Sequence, residues 1–108
     1  MEKFTPNQSI HDLIYEAYLT DLNIGSGTGS IDDPIVMLPD SDYVHNEYEV
    51  LTYLGFYRKI EWERKGQILL SVGDRYLDCL TISVDDLADG NEVEWTEEYF
   101  FDVTECLS

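Results

Sequence analysis

The carboxyl-terminal part of this chain has no base. After Arg75 there is no lysine, arginine or histidine. The chain is also short of cysteine (Cys79 and Cys106), of proline (three residues) and of histidine (His11 and His45). Two cysteines with no third or fourth ligand at zinc or redox spacing make neither a metal knuckle nor a dithiol motif, and they read as reduced thiols. No apolar run nears the ~20 residues that span a bilayer. Met1-Glu2-Lys3-Phe4 leads into polar residues rather than a signal sequence, so a cytoplasmic location is expected. The scarcity of bases removes the cationic face that nucleic acid or an anionic membrane requires of a binder.

What the chain has in surplus is acid. In its 108 residues, 23 acids stand against 6 bases, a formal net charge of -17. Beyond Arg75 lie Asp78, Asp85, Asp86, Asp89, Glu92, Glu94, Glu97, Glu98, Asp102 and Glu105, interleaved with Leu80, Ile82, Val84, Val93, Trp95, Tyr99, Phe100, Phe101 and Val103. A disordered acidic tail lacks such apolar residues, because it buries too little to offset its ordering entropy. The stretch is therefore expected to fold and to present a fixed negative surface. Asp85, Asp86, Asp89, Glu92, Glu94, Trp95, Glu97, Glu98, Tyr99 and Asp102 are its candidate partner-binding residues, aromatic anchors inside a charged rim.

Periodicity places the elements. Ser9 is a good N-cap, and Ile10, Leu13, Ile14, Ala17 and Tyr18 form one helical stripe that runs towards Leu22. Gly25-Ser26-Gly27-Thr28-Gly29-Ser30 reads as a flexible loop; no lysine follows it and a helix precedes it, which is the wrong context for a phosphate cradle. Ile35 to Leu38, between two prolines, reads as a short buried or edge strand. The segment from Ser41 to Leu54 fits a helix with Val44, Tyr48, Leu51 and Leu54 on one side. It also fits a short turn or helix near Ser41–Asn46 followed by a strand from Glu47, which propensity favours. Strands are then expected over Phe56 to Trp62, Gln67 to Val72 and Arg75 to Val84. Turns fall at Arg64-Lys65-Gly66-Gln67, Gly73-Asp74 and Asp89-Gly90-Asn91, and a last hairpin joins Glu92–Trp95 to Tyr99–Val103. The expectation is one α+β domain over 1–108, a mainly antiparallel sheet with an N-terminal helix packed on one face.

Catalytic and metal patterns fail on inspection. Asp85 to Gly90 resembles a calcium loop, but position 3 is Leu87 and position 12 is Thr96, where oxygen ligands are needed. No local motif joins His11 or His45 to either cysteine. Carboxylate pairs are too easily made by chance in so acidic a chain to indicate acid–base chemistry. The sequence reads as a non-enzyme with no cofactor and no metal.

An acidic α+β chain of this length, without a catalytic motif or signal peptide, resembles the small acidic immunity proteins of bacterial contact-dependent growth inhibition and other polymorphic toxin systems. The resemblance covers the whole chain and rests on no specific motif, so it transfers no functional residue. It implies a cytoplasmic protein whose partner is a basic cognate toxin, often a nuclease, held with its active site occluded. Two other readings stand beside it. One is a phage-encoded nucleic-acid mimic that inhibits a restriction or CRISPR effector. The other is an NTF2-like small-molecule-binding domain with Tyr15, Tyr18, Tyr53, Trp62 and Tyr76 lining a pocket.

Overall fold

The computed structural model describes residues 4–86 and 94–107, Asp86 by its backbone alone. Two helices and four strands follow in the order α1 (Ile10–Tyr18), β1 (Ile35–Val36), α2 (Tyr43–Arg58), β2 (Ile60–Val72), β3 (Arg75–Asp86) and β4 (Glu94–Asp102), then a single 3-10 turn at Thr104–Cys106. The sheet order is β1-β4-β3-β2. β2, β3 and β4 run antiparallel to their neighbours, and β1 joins β4 in parallel, so this is an α+β fold with a mixed sheet.

α1 starts as its sequence suggests. The Ser9 hydroxyl accepts from the Asp12 N–H and satisfies one orphan donor of the first turn. It ends a turn earlier than the apolar stripe does. Leu19 takes the left-handed conformation (φ 54°) and its N–H closes on the Tyr15 carbonyl. Ile10, Leu13 and Ile14 are buried, while Ala17 and Tyr18 at the far end are exposed. The glycine segment that follows is held, not free. Its backbone binds Ile10 (to Gly27), Val36 (to Gly25 and Ser26) and Phe100 (to Gly29). Gly27 lies at φ +121°, and a Cβ there would stand 2.1 Å from the Pro34 carbonyl oxygen, so only glycine fits.

Three local expectations are corrected. Ser41 to Leu54 is not a turn and a strand; residues 43–58 are one helix. Its inward positions are Glu47, Val50, Leu51, Leu54 and Gly55. That is helical spacing, hidden by an acid at the head of the stripe. Gly55 lies within this helix, where the Trp62 ring packs at the place of a side chain, 3.2 Å from a built Cβ. Arg64-Lys65-Gly66-Gln67 is no turn but a bulge in one long strand, with Lys65 the unpaired residue. The last expected hairpin is a single strand, because Thr96, Glu97 and Glu98 continue the ladder opposite Ser83, Ile82 and Thr81. The Gly73-Asp74 turn does form, closing β2 on β3 between Val72 and Arg75, with Gly73 at φ +64°.

Both helices pack on one side of the sheet. Ile10, Leu13, Ile14, Val50, Leu51 and Leu54 share a core with Ile35, Leu80, Ile82, Val84, Tyr99 and Phe101. Leu77 and Cys79, which alternate with Leu80 along β3, lie outside that core. Among the described residues no helix packs on their face of the sheet.

Candidate functional site: the uncovered sheet face and its edge

Residues paired directly across an antiparallel ladder point to the same face. The register therefore lists the uncovered face row by row. Glu61 pairs with Asp85, and Asp85 with Glu94. Glu63, Ser83 and Thr96 form the next row, then Gly66, Thr81 and Glu98. Ile68, Cys79 and Phe100 follow, and then Leu70, Leu77 and Asp102. One end of the face is thus acidic and the other apolar. Glu61, Asp85 and Glu94 are all exposed. They stand side by side on three adjacent strands, roughly 4.8 Å apart, the usual spacing between strands. Like charges directly opposite one another destabilise a sheet. Glu94 takes one hydrogen bond, from the Ser83 hydroxyl. The isolated fold carries this repulsion without a base in the row.

The apolar end is part buried and part exposed. Leu77 and Cys79 on the central strand are buried, Phe100 is half-buried, and Ile68 is 63 % exposed. Asp102 closes this end. Its carboxylate accepts from Thr104 and pairs with Arg75, and although burial opposes ionisation these bonds hold it below the usual carboxylate range.

The structure sorts the ten sequence-derived site residues by strand parity. Asp85, Glu94 and Glu98 lie on the uncovered face. Asp102 lies there too, already paired. Trp95, Glu97 and Tyr99 turn to the helix side. Asp86 sits opposite Ile60 at the end of β3. Asp89 and Glu92 lie outside the described residues. The helix-side group is a closed network. Arg58 donates from Nη1 and Nη2 to Glu97 at 2.6 and 2.8 Å, and from Nη1 to the Tyr99 hydroxyl at 2.9 Å. Trp95 Nε1 donates to Glu97 at 2.9 Å, and the Phe4 ring lies 4.4 Å from the guanidinium carbon. Burial alone would raise the Glu97 carboxyl, but the hydrogen bonds from Arg58 and Trp95 outweigh it and hold the group low. Burial pushes the Tyr99 hydroxyl well up.

Sequence reasoning missed Glu61, which completes the acidic row from β2, Glu63 in the next row, 3.7 Å from the Lys65 ammonium, and Arg58, which neutralises Glu97. The signal for the first pair was present, since both alternate with Ile60 and Trp62 along one strand. Arg58 had none, because it reaches Glu97 only through the fold.

A cleft of about 1010 Å³ runs along the outer edge of β4, lined by Phe4 to Pro6, Thr28 to Asp32 and Trp95 to Phe100. The tyrosines considered for a ligand pocket do not line it. Tyr15, Tyr18 and Tyr76 are exposed, while Tyr53 and Trp62 pack against the core. The histidines bind acids: His11 contacts Asp21 at 2.7 Å and His45 contacts Glu49 at 2.6 Å. Burial pushes the free Cys79 thiol up to about 11 and raises Cys106 as well, the opposite of nucleophile activation. Among the described residues no group of three or more His, Cys, Asp or Glu is arranged to hold a metal ion. Nor is any described helix long and apolar enough to cross a membrane. Comparison with family models, with curated proteins and with solved structures found no match.

Proposed function

We propose that this chain is an immunity-type inhibitor, which binds a basic toxin (a nuclease is the favoured kind) and occludes its active site with the uncovered sheet face. The observation that carries the reading is the row Glu61, Asp85, Glu94: three carboxylates in register across three strands, with no base between them. A solubilising surface has no need to align like charges, and doing so costs stability. A cationic partner removes that cost on binding. The apolar rows at the other end of the face, through the accessible Ile68, Leu70 and Phe100, supply an apolar contact that charge alone does not give. Carboxylates on this face then stand where a nuclease would otherwise hold phosphates.

The test has two parts. Tagged chain is used to capture its partner from the source cells at low salt, then eluted at high salt, and the eluted protein is identified and assayed for activity with and without the chain. The expected result is one basic protein whose activity the chain blocks. Rapid-mixing kinetics then compare the chain with Asp85→Lys. Steered association predicts an association rate constant that falls about tenfold with the reversal and falls with added salt, with a smaller change in the dissociation rate constant. Rates indifferent to both would reject the proposal. Elution of a restriction or CRISPR effector in place of a toxin would reassign the chain as a nucleic-acid mimic.

A further inference from the structure

β4 has a neighbour along its whole length on one side only. On the other side, β1 covers its last residues and leaves the rest. The Phe100 N–H donates to the Gly29 carbonyl, and the Asp102 carbonyl accepts from the Met37 N–H, both at 2.9 Å and both on the β1 side. Backbone polar groups alternate along a strand, so those of Glu98 and Thr96 point to this same side. Among the described residues no strand pairs with them. They open instead into the 1010 Å³ cleft between Phe4–Pro6 and Thr28–Asp32.

An unpaired strand edge is a template for another strand. Its own side chains say which. Glu94 and Glu98 flank the edge on the uncovered face, and Asp32 lies across the cleft. A second copy of this chain would set acid against acid. A strand with basic residues on that face would not. On the helix side the cleft offers Phe4, Ile31 and the Trp95 ring, which suit apolar residues. The pattern wanted is an extended segment that alternates basic and apolar.

We infer that the edge of β4 at Thr96–Glu98 accepts an extended basic segment of the partner as an added strand. The source of that segment rests on the toxin-binding reading above; the geometry of the edge does not. The probe is an eight-residue capped peptide of alternating lysine and valine, with an alternating glutamate and valine peptide as the charge control. A third peptide carries N-methyl groups on the amides that would face β4. Amide hydrogen exchange is followed residue by residue on the full chain.

The expected result is that the lysine peptide slows exchange at Thr96 and Glu98 at least tenfold at saturation, while the glutamate and N-methylated peptides do not. Thr96→Pro should fold, because that N–H takes no part in the ladder with β3, and should lose the protection. If that variant unfolds, the N-methylated peptide decides alone. Binding that perturbs Glu61, Asp85 and Glu94 yet leaves Thr96 and Glu98 unprotected overturns strand addition and leaves the basic-partner reading intact. Absence of saturable binding overturns strand addition too. The partner capture described above judges the other reading independently.

Discussion

At the scale of single residues, the most telling group is Glu47. It is 0 % exposed, on the inner side of α2, and neither carboxyl oxygen has a hydrogen-bond partner among the described residues. Burial first, and the nearby Asp78 carboxyl second, push it up to about 10, so it is a neutral acid at pH 7. The unfolded chain releases this proton near pH 4.5. Between that point and about pH 10 the folded state holds more protons than the unfolded one, so this group makes stability fall as pH rises. Glu47→Gln removes the titration. The variant is expected to be more stable than the parent, by a margin that widens from pH 5 to pH 9 in denaturant titrations. Arg58 is the opposite case. It and Glu97 are 10 % and 13 % exposed and paired by two bonds, so Arg58→Ala strands a carboxylate and is expected to cost about 3–5 kcal/mol. Replacing both by methionine is expected to cost much less, and urea unfolding measures both. Asp85→Lys, the reversal proposed above to slow binding, should by contrast stabilise the free protein by about 0.2–1 kcal/mol, since it sets a cation between Glu61 and Glu94.

At the scale of elements, the parts legible in the sequence were those whose pattern is local. The α1 N-cap, the two-residue hairpin at Gly73-Asp74 and the alternation of β3 all formed where expected. What was not legible came from residues that break their own element's pattern. Glu47 sits in a buried helical position and so made α2 look like a turn followed by an alternating strand. The Lys65 bulge is the other case. Counted back from the Gly73-Asp74 turn without a bulge, Trp62 would pair with Asp85 and lie on the uncovered face. The bulge shifts the register by one, so that Trp62 meets Val84 over the core and Glu61 meets Asp85. The acidic row exists because of it. The site was half legible for the same reason: strand parity, unread in a supposed hairpin, decides that Glu98 faces outward while Glu97 turns towards Arg58. One end of α1 can be improved. Leu19 is an exposed left-handed residue, and glycine there relieves a strain of about 1–2 kcal/mol, less its own entropy cost of about 0.5–1. Leu19→Gly is expected to raise stability by about 0.5–1 kcal/mol in thermal or urea unfolding, with helix content unchanged by circular dichroism.

At the scale of the whole molecule, the charge is not confined to the carboxyl-terminal third. β2 supplies Glu61 and Glu63, and the anionic face is assembled across three strands. With a net charge of -17, self-repulsion is a general load on the fold. The screening length is about 8 Å at physiological ionic strength, so salt damps the repulsion among charges spread over the molecule and weakens that within the closer-spaced acidic row only in part. The melting temperature is therefore expected to rise from low salt to about 0.15 M, and to rise less in Asp85→Lys; calorimetry at several salt concentrations checks both. Acid works the other way through Glu97 and Asp102. Their folded values are depressed, so the stability they contribute is present above the ordinary carboxylate range and is lost as pH falls through them. The placement of the two tryptophans has a practical sequel. Trp62 lies against Tyr48 and Gly55, where helix meets sheet, whereas Trp95 lines the cleft with its indole nitrogen tied to Glu97. The chain thus carries two built-in fluorophores with separate duties: the first reports whether the layers are assembled, and the second, isolated by Trp62→Phe, reports whether anything has arrived at the edge.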